Sequence, residues 1–343
     1  CFMHEYKDTK YKIIILNHEK FIANKFFFKY QKKKFKNFIL VNNKLLCIML
    51  HYVKRRFKLN LSINTQRYLS NNTITADKIL NNLFLKKKKL YKISFSDKFK
   101  ALAILRKKKI FINKNSSIIT IHTRDKKFKA YDSETYRVSN IKTYYKSIDY
   151  LLSKNFIVFR LGIISDDKAK ISKKNYYDLT KIKFSRYEVE LITTYLISES
   201  QLFIGSCSGV IDLATIFDIP TLATNHAPLS HLFSHGRKKI CLPKLYRYNR
   251  RKKILKFTEI IKNNYDNFRL DKYYKNHNLS LIDNTDIDIL MALKELILNI
   301  KKKNFKPNKL QIKFRSMLKK NSHSIFSKNH ISASFIHKYK KLM

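Results

Sequence analysis

Glycine and proline are scarce in this sequence. Average usage would place about 24 glycines and about 17 prolines in a chain of 343 residues, yet there are only four of each. All four glycines and three of the four prolines fall within residues 162–243. Glycine is favoured where the backbone needs a positive φ or must approach a ligand closely. This segment is therefore the first place to look for a binding loop.

Cysteine and long apolar runs are also scarce. Cys1, Cys47, Cys207 and Cys241 show neither metal-site spacing nor a disulfide framework, which predicts a reducing, cytoplasmic setting. No apolar run reaches about 18 residues, so no membrane span is predicted, and the N-terminus lacks the apolar region of a signal peptide. The chain starts with Cys rather than Met, which indicates processing, truncation or an incomplete reading frame.

Acidic residues are few: 24 Asp and Glu stand against 73 Lys and Arg, giving a net charge of +49. One interpretation is compositional drift with solvated lysine faces. The other is a charge selected for an anionic partner, which could be membrane lipid, nucleic acid or a phosphorylated substrate. Only 14 of the basic residues are arginine. These are the more informative ones, because a guanidinium makes planar, bidentate contacts to phosphate that lysine cannot make.

Length and hydrophobic pattern predict an α/β protein of more than one domain, with 44% apolar residues available for cores. Residues 1–112 show weak α/β features and form the predicted N-terminal domain. Residues 113–260 alternate strands with helices, which predicts βαβ units and a parallel sheet. Residues 261–343 are predicted as C-terminal helices, including an amphipathic helix over 284–300, followed by a basic tail.

The stretch from Leu202 to Ala214 predicts a buried strand, a tight loop at Gly205, Ser206, Ser208 and Gly209, and then a helix. A Gly/Ser loop that opens a helix presents free backbone N–H groups and a positive dipole end, which suits phosphate. The sequence therefore predicts that this loop holds a diphosphate group.

Arg124 follows a predicted strand, at the place where open α/β sheets bind ligands. Its guanidinium is predicted to bind a phosphate through two hydrogen bonds and to stabilise negative charge that develops on a leaving group. The alternative is a surface ion pair with Asp125 or Asp132. Further candidates for the same site, each with an ordinary structural alternative, are His122, Arg137, Arg160, Asp212 and Asn225.

Two other chemistries receive less support. His226, His231 and His235 suggest a metal site, and the last two have helical spacing. Pro228 and Gly236 interrupt such a helix and no carboxylate is nearby, so no metal site is predicted. Cys207 lies in the glycine loop without an evident general base in the sequence, which argues against a nucleophilic thiol.

These motifs together resemble a known family. His122-Thr123-Arg124, Tyr136-Arg137, Phe159-Arg160-Leu161-Gly162 and the loop at Gly205–Gly209 are similar to the C-terminal half of bacterial GT-B-like glycosyltransferases of the fucosyltransferase type. The segment from Ser208 to Ala214 is also similar to the donor loop of heptosyltransferases, except that Asp212 stands where that family has His.

The resemblance implies two Rossmann-like domains facing across a cleft, with the nucleotide-sugar donor in the C-terminal domain and the acceptor on the N-terminal side. It implies metal-independent transfer, with no cofactor, to a surface-polysaccharide or lipid-linked acceptor of the cell envelope. The catalytic base is expected in the N-terminal domain, where His18 and Glu19 are the candidates. Peripheral contact with the anionic inner membrane is a further expectation.

Two alternatives stay open at this point. One is a basic nucleic-acid-binding protein, which the charge favours although no nucleic-acid motif is recognised and the aromatic residues fall at core spacing. The other is a decayed enzyme that keeps the fold without turnover.

Overall fold

The computed structural model describes residues 13–16, 26, 28, 38–41, 43–56, 91–113, 115–125, 134–163, 165, 171–233, 235–319 and 322–343. The predicted bases His18 and Glu19 lie outside the described residues. Of the predicted N-terminal domain, the structure describes a parallel strand pair, β1 (Ile13–Leu16) with β2 (Phe38–Val41), and two helices, α1 (Lys44–Arg56) and α2 (Phe95–Lys107).

A seven-stranded parallel sheet is the centre of the described fold. Its order is β12-β8-β7-β6-β3-β4-β5, and every described pairing within it is parallel. The α/β class and the parallel sheet predicted from the sequence are confirmed. The strands are β3 (Ile118–His122), β4 (Ile157–Leu161), β5 (Tyr176–Asp178), β6 (Leu202–Ser206), β7 (Thr221–His226), β8 (Lys239–Pro243) and β12 (His330–Ile331).

Helices connect these strands and cover the sheet. They are α3 (Tyr145–Ser153), α4 (Arg186–Glu199), α5 (Val210–Ile216), α6 (Phe257–Lys262), α7 (Asp271–Asn276), α8 (Asp286–Lys301), α9 (Lys309–Met317) and α10 (Ala333–Lys338). A small antiparallel sheet of order β10-β9-β11 follows β8 in the chain and uses β9 (Leu245–Tyr248), β10 (Lys253–Ile254) and β11 (Leu279–Ile282).

The sequence explains where the longer helices begin. Ser185 accepts from the backbone N–H of Glu188 while Glu188 accepts from that of Ser185, which is a capping box at the start of α4. Thr285 and Asp288 form the same arrangement at the start of α8. Such caps satisfy backbone donors that a helix leaves unpaired at its first turn.

Central strands of the sheet are buried on both faces, as parallel sheets require. Every residue of β6 and β7 is buried, which accounts for the apolar runs Leu202-Phe203-Ile204 and Thr221-Leu222-Ala223. Burial of a large side chain such as Phe203, which is 0% exposed, contributes roughly 1.5–3 kcal/mol.

The segment predicted as a basic tail returns to this sheet. His330 and Ile331 pair with Ile240 and Cys241, so β12 is its edge strand beside β8. Glu295 of α8 accepts from the backbone N–H of Ala333 at 2.8 Å and helps to dock α10. Among the described helices, none combines the length and the apolar character that crossing a bilayer requires.

Candidate functional site

The carboxyl ends of β3 and β6 bring two predicted features together. The backbone N–H of Arg124, just past β3, donates to Oγ of Ser206 at the end of β6, at 2.9 Å. Oγ of Ser208 and Nδ1 of His122 are 3.1 Å apart. The loop Gly205–Gly209, called the Gly-Ser loop below, therefore lies at the same sheet edge as Arg124, where open α/β sheets bind their ligands.

Two arginines meet beside this loop, and Arg124 with Arg137 is called the guanidinium pair below. Both donate to the same oxygen of Glu134, Arg124 at 3.1 Å and Arg137 at 2.6 Å. Nε of Arg137 also donates to the carbonyl oxygen of Cys207 at 3.0 Å, which ties its side chain to the Gly-Ser loop. Burial lowers the pKa of Arg124, and the charge of Arg137 acts in the same direction while Glu134 opposes it. Within this cluster of three side chains, the two guanidinium groups therefore outweigh the one carboxylate.

His122 is a neutral member of the site. Burial and the charges of Arg160 and Arg124 lower the pKa of its imidazole to about 4. At neutral pH it can exchange a hydrogen bond with Ser208 without adding charge.

The lowered pKa of His122 gives a prediction for acid stability. Between an ordinary pKa near 6.5 and about 4, the unfolded chain binds a proton at this residue that the folded chain does not. The unfolding free energy therefore falls as pH decreases through that window, by at most about 1.4 kcal/mol per pH unit. His122→Asn is expected to flatten this slope in urea titrations at a series of pH values. The exposed His337→Asn serves as control, and equal slopes in the two variants would contradict the prediction.

Gly209 differs from the other glycines in what surrounds it. A Cβ on Gly205 would collide with the ring of Phe203, and one on Gly162 or Gly236 would meet a threonine methyl within 3 Å. A Cβ on Gly209 would meet nothing within 4 Å, and its φ of −61° suits any residue. No contact among the described residues requires glycine here, so the space over Gly209 is open to a ligand.

Other predicted site residues lie further inside the protein. Arg160 is 1% exposed and donates to Asp178 at 3.2 Å and to Ser165 at 2.8 Å. Asn225 is 0% exposed and exchanges two 2.6 Å hydrogen bonds with Asn284, donating through its backbone N–H and accepting at its side-chain oxygen. The structure therefore does not bring these two side chains to the surface beside the Gly-Ser loop. Asp212 does lie there, exposed in the first turn of α5.

Two further residues lie at this site that the sequence analysis did not assign to it. Glu134 bridges the guanidinium pair, and His226, at the end of β7, lies against Cys207. Burial raises the pKa of the Cys207 thiol, but the charge and hydrogen bonding of His226, together with Arg137, outweigh burial and lower it to about 7. The sequence did contain a signal for this contact. His226 and Cys207 each follow a predicted strand of the same parallel sheet, so both were expected at the same edge. No three His, Cys, Asp or Glu side chains among the described residues are grouped to hold a metal ion.

No protein-family model matches the chain, and no curated protein matches it. Among solved structures it is similar to the ADP-heptose LPS heptosyltransferase II of E. coli, with 14% identity, a TM-score of 0.34, and 45% of this chain and 44% of that chain covered. It is also similar to the dodecameric iron-containing heptosyltransferase TibC, with 15% identity, a TM-score of 0.27, and coverage of 38% and 32%.

The chain thus spans less than half the length of these two structures. Both structures are heptosyltransferases, the type of enzyme whose donor loop the segment from Ser208 to Ala214 resembles. The fucosyltransferase-like part of the resemblance stays a prediction.

Proposed function

We propose that this protein is a glycosyltransferase that takes a sugar from a nucleoside-diphosphate donor. The observation that carries the proposal is the meeting of the guanidinium pair with the Gly-Ser loop at one edge of the parallel sheet. The acceptor is proposed to be a surface polysaccharide or a lipid-linked glycan, on the side of residues 1–112 in a two-domain GT-B arrangement.

The site suits a diphosphate leaving group. Negative charge grows on the bridging oxygen and the β-phosphate as the bond to the sugar breaks. Arg124 and Arg137 are held side by side beforehand by Glu134 and by the carbonyl of Cys207, so the arginines themselves need to move little to neutralise this charge. Removing one such preorganised donor typically costs about 10²–10³ in rate. Helix α5 has only seven residues, so the arginines rather than the helix dipole supply most of the attraction.

Open space over Gly209 allows the phosphate oxygens to approach the main chain of the loop. Oγ of Ser208 can donate to a phosphate oxygen in the tautomer of the neutral His122 that carries its proton on Nδ1 and donates to Ser208. Asp212, exposed in the first turn of α5, is proposed to accept from a ribose or sugar hydroxyl. The chain therefore offers cationic, neutral and acidic groups for the phosphates and the sugar.

The remaining features of the reaction are proposals as well. Transfer is proposed to need no metal ion, since the guanidinium pair supplies the positive charge, and activity in the presence of EDTA checks this. His18 or Glu19 is proposed as the base that removes the acceptor proton. The net charge of +49 is proposed to hold the protein at an anionic cytoplasmic membrane surface.

Thermal unfolding with nucleotides tests the donor assignment. A ligand present at 100 times its Kd stabilises the folded state by about 2.7 kcal/mol. We expect at least one of ADP, GDP, UDP, CDP and dTDP to raise the Tm by a few degrees, and its monophosphate to do less. A Tm unchanged by every diphosphate but raised by a single-stranded oligonucleotide, with steep salt dependence, would favour the nucleic-acid alternative instead.

A further inference from the structure

Cys207 is the one cysteine among the described residues that is not buried. Cys47 and Cys241 are 0% exposed, whereas Cys207 is half-buried at the carboxyl end of β6. Its carbonyl oxygen accepts from Nε of Arg137, so its main chain is fixed within the Gly-Ser loop. A cysteine that is only half-buried at a strand end meets the first condition for reacting with a small molecule.

The second condition is a group that can take the thiol proton. His226 ends β7, the strand beside β6, and its imidazole lies against the Cys207 thiol. The side chain is only 3% exposed, and its Nδ1 has no hydrogen-bond partner within the described part of the chain. A buried imidazole nitrogen without a partner is costly unless it has a use. An imidazole beside a cysteine can receive the thiol proton through the ring nitrogen that faces the sulfur.

Charge around the thiol favours the thiolate and an anionic reagent. The titratable groups that act on Cys207 are His226 from β7, Arg124 and Arg137 from the guanidinium pair, Tyr136 between them, and Asp212 from α5. Three of these five are basic, and the carboxylate of Glu134, which accepts from both arginines, offsets part of that positive charge. The balance lowers the pKa of the thiol to about 7, so roughly half of it is thiolate at neutral pH.

We propose that Cys207 is a modification site, whose thiolate exchanges with small anionic disulfides such as glutathione disulfide. The thiol proton passes to His226, and the sulfur attacks one sulfur of the disulfide. A bond forms between Sγ and that sulfur, the S–S bond of the reagent breaks, and the departing thiolate takes a proton from solvent. A small thiol reverses the exchange.

The adduct has a consequence that rests on the proposed function. A tripeptide attached at Cys207 would lie beside Arg137 and the open space over Gly209, where the diphosphate is proposed to bind. Its carboxylates would also compete for the guanidinium pair. Formation of the mixed disulfide at Cys207 would therefore block donor binding, and its reduction by a small thiol would restore binding.

The test treats the full reduced chain with glutathione disulfide across a range of pH and follows the adduct on the Cys207 peptide by mass spectrometry. We expect the rate to rise with a midpoint at about pH 7. At neutral pH the rate should exceed that of an ordinary thiol by about fivefold to tenfold, since the greater thiolate fraction is partly offset by lower nucleophilicity. His226→Asn should move the midpoint toward the ordinary thiol value.

A second measurement does not depend on a buried variant folding. Cystamine is a cationic disulfide, so it should react with wild-type Cys207 more slowly than glutathione disulfide, and Arg137→Gln should narrow the difference. An alkaline midpoint near that of a free thiol, equal rates for the two reagents, or no adduct at Cys207 would overturn the proposal. The reaction is also followed with a nucleoside diphosphate present, which should slow it by covering the Gly-Ser loop. Unchanged reactivity of Cys207 in its presence would overturn the proposed donor site and leave the modification site standing.

Discussion

Arg124→Ala is expected to weaken nucleoside-diphosphate binding by about 100-fold, which corresponds to about 2.7 kcal/mol. The guanidinium is one of two cations at the Gly-Ser loop. Without it, some phosphate oxygens would lose their water molecules on binding and gain no hydrogen-bond donor in return. The anchoring of the loop should survive, because Ser206 accepts from the backbone N–H of Arg124, which alanine retains. Isothermal titration of the variant and of the wild type measures the loss.

Two further variants distinguish the planar geometry of the Arg124 guanidinium from its positive charge and from the overall charge of the protein. Arg124→Lys keeps the charge but loses the planar fork, so an intermediate loss of about tenfold is expected. Arg251→Ala removes an exposed arginine from the turn between β9 and β10 and should leave binding nearly unchanged. Equal losses for Arg124→Ala and Arg251→Ala would mean that the nucleotide responds only to the overall charge of +49.

Glu134 explains how two arginines can stay close together before a ligand arrives. Its carboxylate accepts from both guanidinium groups through one oxygen, Oε2. In the ligand-free protein this carboxylate stands in the place that a phosphate oxygen is proposed to take. Under the proposed function, a donor must therefore share the arginines with Glu134 or displace it, and a ligand with more than one negative charge would compete best.

Local pattern was sufficient to predict the parallel sheet and the strand-end position of the Gly-Ser loop. Runs such as Phe203-Ile204 and Leu222-Ala223 are apolar because both faces of the sheet are covered, and that signal lies within a few residues. Since parallel strands end at one edge, the meeting of Arg124 with Ser206 followed from topology.

Contacts between distant segments could not be predicted in the same way. His226 meets Cys207 only because β7 pairs with β6 in a definite register, with Ser206 opposite Thr224. Asn225, expected at the cleft, instead bonds Asn284, 59 residues away, because its backbone turns to a φ of +51° at the end of β7. A strand-end position indicates which edge a residue occupies but not whether its side chain faces a ligand.

Gly209→Val is expected to abolish nucleoside-diphosphate binding while leaving the fold intact. The valine Cβ would enter open space, and neither the backbone conformation nor a neighbouring atom opposes it, so the unfolding free energy should change by less than about 0.5 kcal/mol. The same side chain would occupy the volume through which phosphate oxygens reach the main chain of the loop. The Tm without ligand and the Tm shift with ligand give the two readouts.

Gly205→Ala is the matched variant with the opposite expectation. Its Cβ would collide with the buried ring of Phe203, so overpacking should cost about 1–3 kcal/mol of stability. The guanidinium pair is anchored through Ser206, Cys207 and Glu134, so the protein that remains folded should still bind the nucleotide. Comparing the two variants therefore tests whether Gly205 is needed for packing and Gly209 for ligand binding, although both lie within five consecutive residues. Full nucleotide binding by Gly209→Val would show that the diphosphate does not lie over the Gly-Ser loop.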